Sequence, residues 1–195
     1  QAADGSYGSG STTATLSVTP PAAPTPPVRN TWDRISFYSD AYANQSTPTW
    51  GGQTADVTIE GNTTRVMNNF LFGQVAFANV DVSAMTWVHV DVFSLDQTPL
   101  WFWLGNQRVI LPTPINGWTS LDIPLSDYAT LGVNLAAVNI FKIENPNGAG
   151  GFRNAYVDNI YFYRDATLPP ATVGTFTVPA KVLGDAPFQL TPPTS

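Results

Sequence analysis

Short runs of β-branched and aromatic residues recur along the middle of the chain, and clusters of Asn, Gly, Asp and Pro separate them. Such runs predict β-strands rather than helices. The predicted strands are 35–38, 55–59, 74–77, 87–93, 100–104, 108–111, 119–123, 138–143 and 155–163. The segment 125–136 is the weakest strand prediction, and the alternative is a single helical turn over 125–129 that begins at a capping Ser126. This pattern predicts an all-β fold, a two-sheet sandwich.

The two ends of the chain differ from this middle part. Residues 19–30 are rich in proline and predict an extended, semi-rigid linker. We therefore place the sandwich domain at residues 31–166. The segment 1–18 contains one alternating stretch, which predicts a single strand, and 167–195 predicts a second linker followed by the beginning of another unit.

Composition excludes several classes of function. Charged residues make up 11% of the chain, against roughly 25% in an average soluble domain. Because 14 acidic residues outnumber 8 basic ones, we expect no nucleic-acid partner. The chain has no cysteine and therefore no disulfide or thiolate metal site. No apolar run reaches the roughly 20 residues of a membrane helix, so we expect no membrane insertion.

Two predicted strands carry the candidate binding chemistry. Along 87–93 the valines alternate with His89 and Asp91, and along 100–104 Leu and Phe alternate with Trp101 and Trp103. The two-residue period turns the valines, Leu and Phe towards the core and the other side chains outward. Sugar rings stack on aromatic planes, and their hydroxyls pair with polar side chains. The candidate ligand-binding residues are Trp101, Trp103, His89, Asp91, Arg108, Lys142 and Glu144. The alternative is that both indoles pack under a loop or against another sheet.

Several motifs together carry a family resemblance. They are SDAY at 39–42, WGGQ at 50–53, DVSAM at 81–85, HVDVF at 89–93, GWTSLDIPLS at 117–126 and YVDNIYFY at 156–163. In this order they resemble the jelly-roll carbohydrate-binding modules of bacterial β-glucanases and surface glycan-binding proteins. The likeness covers roughly residues 33–164. It implies a secreted or cell-surface bacterial protein whose sandwich binds polysaccharide without cleaving it.

The flanks carry a second resemblance. The segment AKVLGDAPFQL at 180–190 resembles the opening of a bacterial immunoglobulin-like repeat, and residues 7–18 resemble the closing strand of one. This implies that 1–18 is the end of a preceding immunoglobulin-like domain and that 167–195 leads into a following one. Neighbouring immunoglobulin-like domains or subunits are then expected partners.

The family resemblance also implies a structural calcium ion. In the resembled sandwiches, an Asp of the last strand and the loop after the first strand hold calcium, which matches Asp158 here and, more loosely, Ser39, Asp40 and Asn44. Asp158 is flanked by core residues, so its carboxylate is expected to be desolvated. Hydrogen bonds from backbone N–H groups, or an ion pair with Arg153, are the alternatives to calcium.

Candidate catalytic groups are few. His89 is the only histidine, the only glutamates are Glu60 and Glu144, and no pair of acids stands out as a glycosidase pair. We expect a non-catalytic polysaccharide-binding module, with β-glucan as the first candidate ligand. The alternative hypothesis is a structural module of an extracellular fibre, adhesin or phage-like appendage. Exposure of Trp101 and Trp103 distinguishes the two.

Overall fold

A computed structural model describes residues 19–45, 49–94, 99–112, 117–147 and 155–165, with residues 180 and 183. The predicted immunoglobulin-like fragments lie outside the described residues, apart from those last two positions. The strands are β1 (Arg34–Tyr38), β2 (Thr49–Gly52), β3 (Thr54–Ile59), β4 (Asn62–Met67), β5 (Phe72–Val80), β6 (Trp87–Ser94), β7 (Trp101–Leu104), β8 (Gln107–Ile110), β9 (Trp118–Pro124), β10 (Val138–Glu144) and β11 (Ala155–Tyr163).

These strands form two antiparallel sheets. Sheet 1 has the order β3-β4-β11-β6-β9, with β1 also pairing with β11, and sheet 2 has the order β2-β5-β10-β7-β8. The predicted two-sheet sandwich is therefore confirmed. Strands β2 and β4 were not predicted, because TWGG and NTTRVM lack a continuous apolar or alternating run.

Apolar side chains from both sheets fill the space between them. Val88, Val90 and Val92 of β6 are buried, as the alternation predicts, and belong to one cluster with residues of sheet 2. Phe37 of sheet 1 makes edge-on ring contacts with Phe141 of sheet 2, with the ring centroids 6.1 Å apart. The two sheets are thus held together by a continuous hydrophobic core.

One helix, α1 (Leu125–Thr130), follows β9, so the helical alternative to a strand is correct for this segment. The predicted capping role of Ser126 is wrong, because Pro124 occupies the N-cap position and the helix begins at Leu125 without a side-chain cap. Tyr128 anchors the helix by donating a hydrogen bond to the carbonyl of Phe102 at 2.8 Å. No helix in the described parts of the chain is long and apolar enough to cross a membrane.

Residues 19–30, here called the proline ribbon, lie across the outer face of sheet 1. Three carbonyls spaced three residues apart accept hydrogen bonds: Pro21 from Trp118 Nε1 at 2.8 Å, Pro24 from Asn159 Nδ2 at 2.8 Å, and Pro27 from the Tyr42 hydroxyl. This spacing equals the three-residue turn of a polyproline II helix, which brings every third carbonyl to one side. The segment predicted as a linker is therefore packed against the sandwich.

Candidate functional site

Trp101 and Trp103 project from the outer face of sheet 2, as the alternation predicts. Leu100, Phe102 and Leu104 are fully buried on the opposite side of the same segment. Both tryptophans are half-buried. Their positions two residues apart on one strand separate the indoles by about 7 Å along the strand.

Cross-strand pairing surrounds the two tryptophans with side chains of the neighbouring strands. One row across the sheet contains Ile110, Trp101, Glu144 and Phe72, and the next contains Arg108, Trp103, Lys142 and Gln74. We call these eight residues the tryptophan face. Five of the seven residues predicted to bind ligand therefore lie together.

Two cations cover the indole rings. The guanidinium carbon of Arg108 lies 3.6 Å from the ring centroid of Trp101 and 5.2 Å from that of Trp103. The Lys142 ammonium lies 4.0 Å from the Trp103 centroid and 2.5 Å from a carboxylate oxygen of Glu144. At exposed sites such cation–π contacts contribute about 0.5–1 kcal/mol each. They restrict the orientation of both rings.

The indole N–H of Trp103 takes no part in fixing its ring. Its Nε1 atom is buried and has no hydrogen-bond partner among the described residues. The ring is therefore positioned by packing and by its contact with Lys142.

The prediction that His89 and Asp91 share the ligand site is not supported by the geometry. Both belong to β6 of sheet 1, and they point away from sheet 2. His89 is 7% exposed and Asp91 is 1% exposed, because the proline ribbon covers this face. They cannot contact a ligand that lies on Trp101 and Trp103.

His89 and Asp91 instead form a buried network beneath the ribbon. His89 Nδ1 lies 2.7 Å from Asp122 Oδ1, and its Nε2 lies 3.3 Å from Asp91 Oδ1. Burial lowers the pKa of His89, but hydrogen bonds to the two carboxylates outweigh it and raise the pKa above its usual value. Asp91 also accepts from Asn159 Nδ2, at 2.7 Å, and the same amide group bonds Pro24. The network thus supports the ribbon.

Asp158, the central residue of the predicted calcium site, is 0% exposed. Its Oδ1 accepts from the backbone N–H of Asn159 at 2.6 Å, and its Oδ2 accepts from Asn62 Nδ2 at 2.5 Å and Thr64 Oγ1 at 3.3 Å. Burial raises its pKa to about 6. The expected desolvation is confirmed, and a backbone N–H bond, one of the alternatives, is present. Arg153 lies outside the described residues.

The other predicted calcium ligands bind different partners. Asp40 accepts from the backbone N–H of Thr63 at 2.6 Å. Ser39 donates to Asn159 Oδ1 at 2.8 Å, and Asn44 Oδ1 accepts from the Ser36 hydroxyl at 2.7 Å. The described residues contain no group of three acidic or histidine side chains placed to hold a metal. The side-chain oxygens of all four residues take part in hydrogen bonds within the protein, and calcium binding stays a prediction.

The sequence interpretation missed three residues of the tryptophan face. Ile110 is 67% exposed beside Trp101, while Phe72 and Gln74 lie on the far side of β10. Only the strand order and register bring them together, and neither can be obtained from local sequence.

No protein-family model matches this chain, and no curated protein does. Solved structures similar to it include a family 11 carbohydrate-binding module from Clostridium thermocellum in complex with a β-1,3-1,4-mixed-linked tetrasaccharide. That match has 13% identity, covers 69% of this chain and 97% of that chain, and has a TM-score of 0.48. A family 30 carbohydrate-binding module matches at 12% identity, over 73% of this chain and 93% of that chain, with a TM-score of 0.49.

A third similar structure is the C-terminal family 6 module of a marine laminarinase from Zobellia galactanivorans. Its identity is 11%, it covers 68% of this chain and 100% of that chain, and its TM-score is 0.40. All three TM-scores are below 0.5.

Proposed function

We propose that the chain binds polysaccharide on the tryptophan face without cleaving it. The observation that carries this proposal is the pair of half-buried indoles on the outer face of sheet 2, each held by a cation. An indole offers a sugar ring a flat apolar surface, and the polar groups beside it offer hydrogen bonds to the hydroxyls. Among the described residues, no other aromatic ring stacks on either tryptophan.

The dimensions of the face suit an extended polymer. Each row crosses four strands, β8, β7, β10 and β5, which at about 4.8 Å per strand spacing gives a length of about 14 Å. Donors and acceptors lie along this path, among them Arg108, Glu144 and Gln74. A chain of several sugar units laid across the strands can therefore contact one indole and several polar groups at once, and the second indole lies in the next row, about 7 Å away along the strand.

The proposal extends to the setting of the domain. The low charge of the chain agrees with a secreted or cell-surface module that tethers its parent protein to glycan. β-Glucan is the first ligand to test, on the sequence resemblance described above. Calcium as a structural ion and immunoglobulin-like neighbours are further parts of the proposal.

Affinity gel electrophoresis tests the proposal. The full chain is run through gels with and without β-glucan and other neutral polysaccharides, and compared with a Trp101→Ala, Trp103→Ala double variant. We expect the polymer to retard the wild type and not the variant, with circular dichroism unchanged. Trp87→Ala is the matched control, because Trp87 is a half-buried tryptophan on the outer face of the opposite sheet.

The rival hypothesis predicts a different result. If the tryptophans serve only as packing surface in a fibre or adhesin, folded wild-type protein migrates equally in all gels. Retardation that survives the double substitution would place the site elsewhere and refute the tryptophan face as the binding surface.

A further inference from the structure

We infer that the tryptophan face prefers polysaccharides bearing carboxylate groups, that is, uronate units, and that Arg108 recognises the carboxylate. This rests on the proposed function, since it specifies the ligand of the same face. The inference follows from the charge balance of the face and from the position of the guanidinium.

Arg108 carries a positive charge on the tryptophan face that no neighbouring carboxylate neutralises. Lys142 is neutralised by Glu144, whose carboxylate oxygen lies 2.5 Å from its ammonium. Arg108 is exposed, and no carboxylate pairs with it among the described residues. A chain with a formal net charge of -6 thus keeps an unpaired cation beside its two outward tryptophans.

The contact with the indole leaves the guanidinium free to bind an anion. A guanidinium placed over a ring keeps its N–H groups in its own plane, so they point outward from the stack rather than into it. None of these groups forms a hydrogen bond with a described residue. The N–H donors of a guanidinium form a planar fork, which can make two parallel hydrogen bonds with one carboxylate.

The position of Arg108 gives it access to a sugar on either indole. It lies 3.6 Å from the Trp101 centroid and 5.2 Å from the Trp103 centroid. The guanidinium occupies one face of the Trp101 ring. A sugar that leaves the guanidinium in place must therefore stack on the other face of this ring. The carboxylate group of a uronate is attracted to the cation, whereas the uncharged hydroxymethyl group that takes its place in a neutral sugar is not.

Glu144 makes the opposite contribution. It lies beside Trp101 in the same row and holds Lys142 by an ion pair. Its negative charge disfavours an anionic ligand, and Glu144→Gln removes that charge and releases the Lys142 ammonium. The inference therefore predicts effects of opposite sign for two substitutions on one face.

The test uses polymers that share a backbone. A β-glucan, the same glucan oxidised to the carboxylate at C6, and a sulfated form of that glucan are each presented in affinity gels to the full chain. We expect the oxidised polymer to bind about tenfold more tightly than the parent, because its carboxylate can form charge-assisted hydrogen bonds with Arg108. Added salt should reduce this difference.

Variants identify the residue responsible. Arg108→Gln should weaken binding of the oxidised polymer about tenfold more than binding of the parent, and Arg108→Lys, which keeps the charge without the fork, about threefold more. Glu144→Gln should bind the oxidised polymer about threefold more tightly. Arg34→Gln is the control, since Arg34 covers Tyr42 by the same kind of contact in sheet 1, with its guanidinium carbon 4.0 Å from the ring centroid.

The outcomes separate the two proposals. The uronate preference is overturned if both unsulfated polymers retain the wild type equally. If the Trp101→Ala, Trp103→Ala double variant then loses this retention, the proposal of polysaccharide binding still holds. Stronger retention by the sulfated polymer overturns the assignment to carboxylate. Retention by none of the three polymers, with folded protein, contradicts polysaccharide binding itself.

Discussion

Replacing Asn159 by glycine should destabilise the fold strongly, although the residue lies far from the tryptophan face. Asn159 occupies a bulge of β11, where two residues, Asn159 and Ile160, lie opposite Val90 alone. Its φ of 49° is in the left-handed region, which asparagine tolerates better than most residues. Its side chain joins β6, the loop after β1 and the proline ribbon.

The magnitude follows from three hydrogen bonds. The Asn159 amide donates to Asp91 Oδ2 at 2.7 Å and to the Pro24 carbonyl at 2.8 Å, and it accepts from the Ser39 hydroxyl at 2.8 Å. A hydrogen bond to a buried charge contributes about 1.5–3 kcal/mol and a neutral one about 1 kcal/mol. The Asn159→Gly variant should therefore lose about 4 kcal/mol of unfolding free energy. This is a large part of the roughly 5–15 kcal/mol of a typical domain.

Urea unfolding followed by tryptophan fluorescence measures the loss. Glycine accepts the left-handed backbone without strain, so the loss comes from the missing side chain and from the greater freedom of glycine in the unfolded chain. Asn159→Ala should be less stable still, by about 1 kcal/mol, because its Cβ disfavours that φ. Retention by polysaccharide gels should be unchanged in any variant that remains folded, because the tryptophan face belongs to the other sheet.

Two results would refute this reasoning. A loss below about 1 kcal/mol for Asn159→Gly would mean that solvent replaces the three bonds at no net cost. An alanine variant more stable than the glycine variant would show that the backbone at this bulge is not under the conformational restriction described.

Three further predictions concern single groups. The pKa of His89 is raised in the folded state, so its contribution to stability is complete below its unfolded pKa of about 6.5 and is lost as the pH rises through the folded-state pKa. The urea concentration at the midpoint of unfolding should therefore fall between pH 6.5 and 9. This fall should be smaller in the His89→Gln variant. If calcium binds at Asp158, the wild type should melt at higher temperature with Ca²⁺ than with chelator and Asp158→Asn should not respond. Trp103→Phe should change the unfolding free energy by less than about 1 kcal/mol, since its N–H has no partner, yet weaken polysaccharide retention measured in gels.

Alternation along single strands was a sound guide to what faces the core. Val88, Val90 and Val92, and likewise Leu100, Phe102 and Leu104, are buried because a strand presents successive side chains to opposite faces. The same rule could not place His89 with Trp101. A two-residue period tells which side chains leave the core of a sandwich, but not from which of its two sheets they project.

Other features had no local signal. The proline ribbon was predicted as a linker because prolines lack N–H donors, and nothing in residues 19–30 shows that Trp118, Asn159 and Tyr42 donate to their carbonyls. The companions of the tryptophans, such as Ile110 and Gln74, depend on pairing between strands distant in sequence. The register between strands that are distant in the sequence is the feature hardest to predict from a single sequence.

The proline ribbon also determines how the domain would bear mechanical load. It lies on sheet 1, whereas the proposed glycan surface lies on sheet 2, with the hydrophobic core between them. A pull applied at residue 19 against a glycan held on the opposite side must pass through the ribbon before it reaches any strand. The ribbon is fastened by a few side-chain hydrogen bonds rather than by a backbone ladder. These bonds come before any backbone ladder along that path, so the ribbon would be the first part of the domain to peel away and would lengthen the tether.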